Sequence, residues 1–558
     1  MPQPTLSLRK KCAIPNQNFS RIEIALLFIF YGFTAAVFNI AATAVPLRNP
    51  DGFAYLRLAG YLAQGEFWRS VTAYWGPLIT WLTAPLLALR IDGLTALTAV
   101  RMFGGGVFLA GILLLTLRFK LEKISRSAAV LITTFFIAHW TSLAPTPDIL
   151  LAAILAFYFY GVLDPGLPTD PRKAFHCGLL AGTAYLAKHF ALPFFLVHFP
   201  LTLWLRKIEN SRSSLKFWTV KNIRKSLLAG LGGFFVVAAA WLILISVKHH
   251  RPTIGTAGLA THAIAGPQDM GRAHPSFVGL HRPPPYAIHT WEDPSEMPYK
   301  TWSPIACKKY FFHQINLCLG NAWRIIKILH HRGVSAGLAW LILSGAFLLW
   351  KRKPFGDLFP TLWTFATLVV FFSGYSFCYA DQERYYWPVI PLIVILSFRM
   401  IPFRKTENKA VRLLGGGLLM LFAALFIFPT FRAFRESVVL CVRPKTGNVS
   451  RSVASRLNPL LSDGSFAVIG AKPRVFYVAY YLNRPFLGSP LSKNASSLTQ
   501  ELLREGAESL IVFDDSKARW GFLVQQLKTD PHYRWKGGVS SGAIRGWEGN
   551  INVFSLRR

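Results

Sequence analysis

About eleven long apolar runs, separated by short basic segments, constrain this chain more than any other feature, since a bilayer-spanning helix needs about 20 apolar residues. The runs lie at 22–45, 96–117, 127–144, 148–163, 175–188, 190–205, 227–247, 334–350, 357–377, 385–400 and 411–430. With 52% hydrophobic and 16% charged residues, the chain is also more apolar than a soluble protein of average composition. The pattern predicts an all-α polytopic membrane bundle of about eleven transmembrane helices.

The charges between the apolar runs predict which helix ends face the cytoplasm. The run 77–89 is too short to span, so we expect it to form an outer juxtamembrane helix. The basic segments then fall on one side, which the positive-inside rule assigns to the cytoplasm together with the N-terminal tail, 1–21. This distribution explains the excess of 61 Lys+Arg over 26 Asp+Glu without a nucleic-acid partner. The basic segments are Arg9 to Lys11, Arg118 to Arg126, Arg172 and Lys173, Arg206 to Lys225, Lys351 to Lys353, and Arg399 to Arg412.

The opposite side of the predicted transmembrane domain, 22–430, carries an outer loop, 46–95, a long loop, 248–333, and the C-terminal region. The long loop is rich in Pro and His and has no helix or strand period, which indicates a mobile lid or a partly disordered connector. Residues 431–558 alternate between strand and helix patterns and predict a small α/β extracytoplasmic domain. The predicted strands are 465–471, 508–514 and 551–556, and the predicted helices are 473–483, 498–506 and 519–528.

Two aspartates follow prolines where predicted outer helices begin. Asp51 opens an amphipathic stretch whose apolar stripe starts at Tyr55, and Asp148 opens an apolar run. Either aspartate is a candidate functional residue, because ionisable groups at helix ends that face a bundle interior are costly unless they are satisfied. The alternative for both is helix capping, for which Asp is well suited.

Two basic residues also lie at predicted outer helix ends. Lys188 lies between two short apolar helices, where an ammonium group requires an anion or must extend to the lipid headgroups. Arg384 is suited to binding a phosphate with two hydrogen bonds, and its alternative is an ion pair with Glu383. Both residues are therefore candidates for phosphate binding.

Other familiar motifs are missing from the sequence. Most of the 14 histidines lie between His249 and His331, yet no HxxxH or HExxH pair occurs among them, so we expect exposed loop histidines and assign no metal ligand. No P-loop, GxGxxG or GxSxG element stands in a suitable context, which argues against ATP-driven transport, nucleotide binding and serine hydrolysis.

The motifs DGFAYLRLA, YWGPLITWLTAP, TPDILL, GTAYLAKHFALP and ERYYWPVIPL occur in this order. Over residues 20 to 430 the chain resembles the membrane glycosyltransferases of the GT-C fold, in the branch of protein mannosyltransferases and bacterial aminoarabinose transferases of lipid A. The resemblance implies an enzyme of the inner (plasma) membrane that transfers a sugar, with inversion, from a polyprenyl-phosphate carrier to an extracytoplasmic lipid, glycan or protein.

The resemblance also implies a role for each candidate residue. Asp51 would be the general base, and Asp148 would order the site or the acceptor. Lys188 and Arg384 would hold the leaving lipid phosphate, whose negative charge grows in the transition state. Tyr55 would contact the substrate.

The chain departs from the family pattern just before the proline-led helix. Aminoarabinose transferases often carry an acidic and a basic residue there, whereas this chain has Tyr74 and Trp75. A contact from these positions to a divalent cation or a phosphate is therefore in doubt. The two rings are predicted to contact the substrate, with anchoring in the membrane interface as the alternative.

Two other classes of protein share parts of this pattern. A transporter or lipid flippase would also have many spans and intramembrane charges, but we would expect an inverted repeat and charges near the midplane. A non-catalytic scaffold would leave Lys188 and the outer aspartates without a task. Both features of a transporter are missing from the sequence, which favours the transferase.

The charge distribution gives a first testable prediction. A phosphatase reporter fused after Ser450 should be active, because this position is predicted to be extracytoplasmic. A reporter that works only in the cytoplasm should be inactive there. Activity of the cytoplasmic reporter at this position would contradict the eleven-span topology.

Overall fold

A computed structural model describes residues 19–557 except 212–219, 271–272, 351–354, 402–408, 443–447, 471, 493, 515–519, 541, 545–546 and 548. Most of the predicted cytoplasmic tail, 1–21, and the basic cluster Lys351 to Lys353 lie outside the described residues. The first sixteen helices are α1 (Arg21–Ala42), α2 (Asp51–Ala63), α3 (Phe67–Ser70), α4 (Leu78–Ala88), α5 (Gly93–Phe119), α6 (Lys123–Leu143), α7 (Asp148–Val162), α8 (Pro171–Ala187), α9 (Ala191–Ser211), α10 (Val220–Lys248), α11 (Ala257–Ile264), α12 (Lys308–His331), α13 (Val334–Trp350), α14 (Phe355–Ser376), α15 (Ile390–Arg399) and α16 (Lys409–Val442).

Every predicted span overlaps one of these helices, namely α1, α5 to α10 and α13 to α16. Helix α15 has only 10 residues and covers the second half of the predicted span 385–400. Five described helices are long and apolar enough to cross a membrane by length and composition. The chain is thus a multi-pass membrane protein, and its total number of spans stays a prediction. Helix α4 has 11 residues, about half of what a bilayer requires.

Among the described residues, three of the segments predicted to be cytoplasmic contact one another at one end of the bundle. Asp164, which follows α7, pairs with Arg118 at 2.7 Å and with Lys173 at 2.9 Å. Near the same end, Lys123 lies 3.5 Å from Glu23 in the first turn of α1. At the end where α7 begins, Arg57 of the loop 46–95 pairs with Glu292 of the loop 248–333 at 3.1 Å, and Tyr477 of the C-terminal region donates to the Asn49 carbonyl. Which end faces the cytoplasm stays a prediction.

The long loop, 248–333, contains regular structure that its sequence did not indicate, whereas its mobility stays a prediction. It contains α11, α12 and the strand β1 (Gly279–Leu280). Helix α12 alternates apolar residues with lysine, arginine and histidine, which lowers its mean hydropathy and conceals it from a search for apolar runs. Strand β1 exists because it pairs with a distant strand, and a contact of that kind leaves no local periodicity.

The C-terminal region combines strands and helices, and it also contains a strand at 533–539 and a helix at 449–457 that its sequence pattern did not indicate. Its predicted start at 431 lies within α16, which continues to Val442. A four-stranded sheet has the order β2-β4-β6-β5, with β2 and β4 parallel and the other pairs antiparallel. The two-residue strand β3 pairs instead with β1 of the long loop. The elements of the C-terminal region are α17 (Val449–Leu457), β2 (Phe466–Ile469), α18 (Lys472–Leu482), β3 (Gly488–Ser489), α19 (Ala495–Arg504), β4 (Ser509–Asp514), α20 (Gly521–Thr529), β5 (Tyr533–Val539) and β6 (Asn550–Leu556).

The C-terminal domain shares a hydrophobic core with the helical bundle. Phe476 and Tyr477 of α18 belong to the same cluster of buried side chains as Phe53 of α2 and Leu97 of α5. A second, smaller cluster lies within the sheet region. Helix α18 therefore fixes the domain onto the end of the bundle where the predicted site residues lie.

Candidate active site

A cavity of about 1590 Å³ lies at this end of the bundle. Its walls include every residue that the sequence singled out as catalytic, phosphate-binding or substrate-binding. The fold thus brings together side chains that are more than 300 positions apart along the chain. The predicted residues that line the cavity are Asp51, Tyr55, Tyr74, Trp75, Asp148, Lys188 and Arg384.

Four of these residues form a chain of ion pairs. The Nη2 of Arg384 donates to Oδ2 of Asp51 at 2.7 Å, and its Nε lies 3.7 Å from Oδ2 of Asp148. The Nζ of Lys188 donates to Oδ1 of Asp148 at 2.6 Å. The hydroxyl of Thr146 donates to Oδ2 of Asp148 at 2.7 Å. Each charge is therefore compensated, which buried ionised groups require.

Neither aspartate caps its own helix, so the capping interpretation is wrong for both. The N-cap positions of α2 and α7 are Pro50 and Pro147, and neither helix has a side-chain cap. Asp51 and Asp148 are the first residues of these helices, where a carboxylate also favours the positive end of the helix dipole. Their side chains are directed to cations across the cavity.

The alternatives for the two basic residues are also wrong. Lys188 points to Asp148, so it does not extend to lipid headgroups. Glu383 pairs with Arg332 at 2.7 Å and accepts from Nε1 of Trp140, which leaves Arg384 to the aspartates. Lys188 and Arg384 are therefore the cations of the cavity cluster.

Local packing explains how the Lys188 side chain is held. Lys188 is the C-cap of α8 and has an extended backbone. Gly76 packs against this end of α8 so closely that an added Cβ would lie 2.5 Å from the carbonyl oxygens of Leu186 and Ala187. The Lys188 ammonium lies 4.0 Å from the centre of the Tyr385 ring, a cation–π contact.

Arg384 keeps unused hydrogen-bonding capacity. Its Nε and Nη1 atoms are buried and have no hydrogen-bond partner among the described residues. Burial opposes the charge of the guanidinium, but Asp51 and Asp148 outweigh this effect and raise the pKa of Arg384. A permanently charged group with free donors beside the cavity is suited to binding an anion.

Aromatic rings form one wall of the cavity. The ring of Trp75 lies 5.1 Å from that of Tyr55, 4.6 Å from that of Tyr74 and 5.2 Å from that of Trp291. Trp75 is only 7% exposed, so its anchoring in the membrane interface is wrong. Flat apolar faces above a charged cluster are suited to contact with a sugar ring.

The cavity continues as an apolar groove between α9 and α14. Val197 of α9 and Val369 of α14 line the cavity and are also 55% and 63% exposed on the outside of the bundle. Leu259 of α11 and Phe377 extend this lining. The charged end of the cavity is thus connected to a surface that faces lipid in the predicted topology.

The long-loop histidines are only partly exposed, which corrects their prediction. His274 and His289 are buried, and burial lowers the pKa of His274 to about 4, so its imidazole is neutral at neutral pH. His274 lines the cavity and makes a hydrogen bond of 2.7 Å with the Tyr299 hydroxyl. Sequence spacing could not reveal this burial, since it comes from the packing of the loop on α2 and α18.

A group of metal-ligand types lies in the long loop, outside the cavity lining. Donor atoms of His249, Asp293 and Glu296 lie within 4.8 Å of one another. Asp293 is already paired with Lys248 at 3.4 Å and accepts from Thr72 at 2.6 Å. A divalent cation would have to displace the ammonium group, so these residues do not fit a metal site and we assign none here.

Several lining residues were missed in the sequence. Arg48, Tyr385 and Trp291 line the same cavity. Tyr385 follows Arg384 directly, and its position in the motif ERYYWP was a usable signal. Arg48 and Trp291 lie in segments without a helical pattern, and only the folded chain brings them to the site.

Comparison with solved structures identifies the fold. The structure is similar to that of ArnT from Cupriavidus metallidurans bound to undecaprenyl phosphate, with a TM-score of 0.50, 12% identity and coverage of 95% of this chain and 98% of that chain. For the apo state of the same ArnT, the TM-score is 0.48 and the identity is 13%, with coverage of 95% of this chain and 98% of that chain. For the Archaeoglobus fulgidus oligosaccharyltransferase, in complex with Zn and sulfate, the TM-score is 0.45 and the identity is 12%, with coverage of 87% of this chain and 68% of that chain. The match to bound ArnT confirms the GT-C fold over nearly the whole chain.

Comparisons of sequence alone give no further assignment. No protein-family model matches the chain, and no curated protein matches it. The motifs that indicated the fold are short and widely spaced, so they leave little similarity for such comparisons to detect. The roles of the site residues therefore stay proposals.

The ion-pair chain predicts that its two aspartates differ in their contribution to stability. Asp148 is 2% exposed and contacts Lys188, Arg384 and Thr146, whereas Asp51 is 17% exposed and contacts Arg384. Asp148→Asn should lower the free energy of unfolding by about 3–5 kcal/mol, and Asp51→Asn by less, about 1.5–3 kcal/mol, because it weakens one charge-assisted hydrogen bond. Thermal unfolding of the detergent-purified variants measures the difference. Equal melting temperatures would contradict the assigned contacts.

Proposed function

We propose that this chain is a membrane glycosyltransferase that moves a sugar from a polyprenyl-phosphate carrier to an acceptor on the outer side of the inner (plasma) membrane. The observation that carries the proposal is one continuous cavity that has paired carboxylates and cations at one end and an apolar groove at the other. Such a shape fits a lipid with a charged head and a long hydrocarbon tail.

The donor would bind with its phosphate at the cations and its polyprenyl chain in the groove. Arg384 would use its free Nε and Nη1 donors, and Lys188 would turn from Asp148 toward the phosphate. The bound undecaprenyl phosphate in ArnT, which shares the fold, supports this class of carrier. A phosphate between the two cations would also draw Arg384 away from Asp51.

Release from Arg384 would make Asp51 a competent base. The oxygen of an acceptor hydroxyl would attack the anomeric carbon of the sugar as the bond from that carbon to the phosphate oxygen breaks. The hydroxyl proton would pass to the Asp51 carboxylate, and the polyprenyl phosphate would leave with an additional negative charge. Arg384 and Lys188 would stabilise this charge as it grows. Attack from the face opposite the phosphate inverts the anomeric configuration.

Asp148 is less suited to the role of base. Its carboxylate is almost fully buried and is held by Lys188, Arg384 and Thr146. We therefore assign it to orienting the two cations, while the aromatic wall of Tyr55, Tyr74 and Trp75 contacts the sugar or the acceptor. A transporter or lipid flippase has no comparable support, because the charges lie at the end of the bundle and not at its middle.

The proposed chemistry is tested by sugar transfer from a polyprenyl-phosphate donor with purified protein. Asp51→Asn keeps the size of the side chain but removes its basicity, so turnover should fall on the order of a hundred- to ten-thousand-fold. Lys188→Ala should mainly weaken use of the donor. Normal turnover of Asp51→Asn would contradict the assignment of the base, and unchanged kinetics of Lys188→Ala would contradict its phosphate contact.

The groove gives a separate prediction for the carrier lipid. Val369→Trp should fill the groove and raise the KM for long-chain donors, with a smaller effect for a donor with a short polyprenyl chain. Val236→Trp is the matched control, because Val236 of α10 is 67% exposed and does not line the cavity. Equal effects of both substitutions, or equal effects on both donors, would show that the polyprenyl chain binds elsewhere.

A further inference from the structure

We propose that Tyr477 of the C-terminal domain is a positioning residue for Asp51, so that this domain completes the active site. The inference rests on the proposed function, in which Asp51 is the general base. Tyr477 lies in the middle of α18 and its side chain is fully buried.

Two hydrogen bonds connect Tyr477 to the turn from Asn49 to Asp51. The Tyr477 hydroxyl donates to the backbone carbonyl of Asn49 at 2.7 Å. The side-chain Oδ1 of the same Asn49 accepts from the backbone N–H of Asp51 at 2.9 Å. One asparagine thus carries both bonds, and the hydroxyl acts directly on the segment that sets the direction of the Asp51 side chain.

The packing around Gly52 leaves this contact no freedom. A Cβ added at Gly52 would collide with the Tyr477 hydroxyl and would lie 2.5 Å from Cγ of Pro145. Pro145 belongs to the turn that leads into Asp148. The turns before both aspartates therefore meet under the hydroxyl of Tyr477, which fixes the two carboxylates relative to each other.

Neighbouring rings hold α18 in this place. Phe476 packs on Phe53 of α2 with ring centres 5.4 Å apart, and on His289 of the long loop at 4.7 Å. Four residues after Tyr477, the hydroxyl of Tyr481 donates to Asp92 at 3.1 Å. This second bond attaches the domain to the start of α5 and makes no contact with the turn before Asp51. Its loss should therefore affect attachment of the domain without moving Asp51.

The positioning matters because Asp51 has to exchange partners. The Asp51 carboxylate is held by Arg384 at 2.7 Å, and the proposed reaction requires it to accept a proton from the acceptor instead. A fixed turn limits this exchange to rotation of the side chain. Without the hydroxyl, the Asn49 carbonyl loses its partner and the turn gains freedom, which misplaces the base at the moment of attack.

The test compares Tyr477→Phe with the matched variant Tyr481→Phe. Each substitution removes one hydroxyl from α18 and keeps the ring. Tyr477→Phe should lower kcat roughly tenfold while the KM for the donor stays within about twofold. Tyr481→Phe should retain a kcat within about twofold of wild type. Turnover is measured well below the melting temperature of each variant, so that partial unfolding does not contribute.

A double-mutant cycle with Asp51→Asn identifies the route of the effect. If Tyr477 acts through Asp51, the double variant should be no slower than Asp51→Asn alone. Equal losses in Tyr477→Phe and Tyr481→Phe, or additive losses in the double variant, would overturn the positioning role while leaving Asp51 as the base. Normal turnover of Asp51→Asn would overturn the proposed base and the positioning role together.

Discussion

Two carboxylates and two cations, buried or half-buried at one end of a helical bundle, form the interaction on which the rest of this structure depends. Each charge would be costly in isolation, because burial removes its hydration. The chain from Asp51 through Arg384 and Asp148 to Lys188 compensates all four. An incoming phosphate can compete for both cations, so the same pairing that stabilises the four side chains also indicates the kind of ligand that should bind there.

The long loop and the C-terminal domain together hold α2, and with it Asp51 of this cluster, in place. The long loop joins the C-terminal domain through the pairing of β1 with β3 and through a hydrogen bond of 2.7 Å from the Phe486 N–H to the Ile288 carbonyl. It joins α2 through the buried Glu292, which pairs with Arg57 at 3.1 Å and accepts from the Tyr61 hydroxyl at 2.5 Å. Helix α2, which begins with Asp51, is therefore clamped between two segments that follow it by more than 200 residues.

Much of this arrangement could be predicted because it is encoded locally. The lengths of the apolar runs predicted the helices of the bundle. Asp51 and Asp148 could be found because each follows a proline at the start of a predicted helix, and Lys188 and Arg384 because each is a charge at a predicted outer helix end. What could not be predicted depends on contacts distant in the chain. Helix α12 is stabilised along one face by bonds such as that from Asn321 to the Ser376 carbonyl at 2.9 Å, and the alternatives of capping and snorkelling were excluded only by the partners across the cavity.

The most direct test of the central claim is mass spectrometry of envelope lipids and glycans from cells with and without this chain. If it is a polyprenyl-phosphate-dependent glycosyltransferase, cells without it should accumulate the polyprenyl-phosphate sugar. They should also contain an extracytoplasmic acceptor that lacks the mass of one glycosyl residue. Identical lipids and glycans in both samples, under conditions where the chain is expressed in the reference cells, would contradict the proposed function.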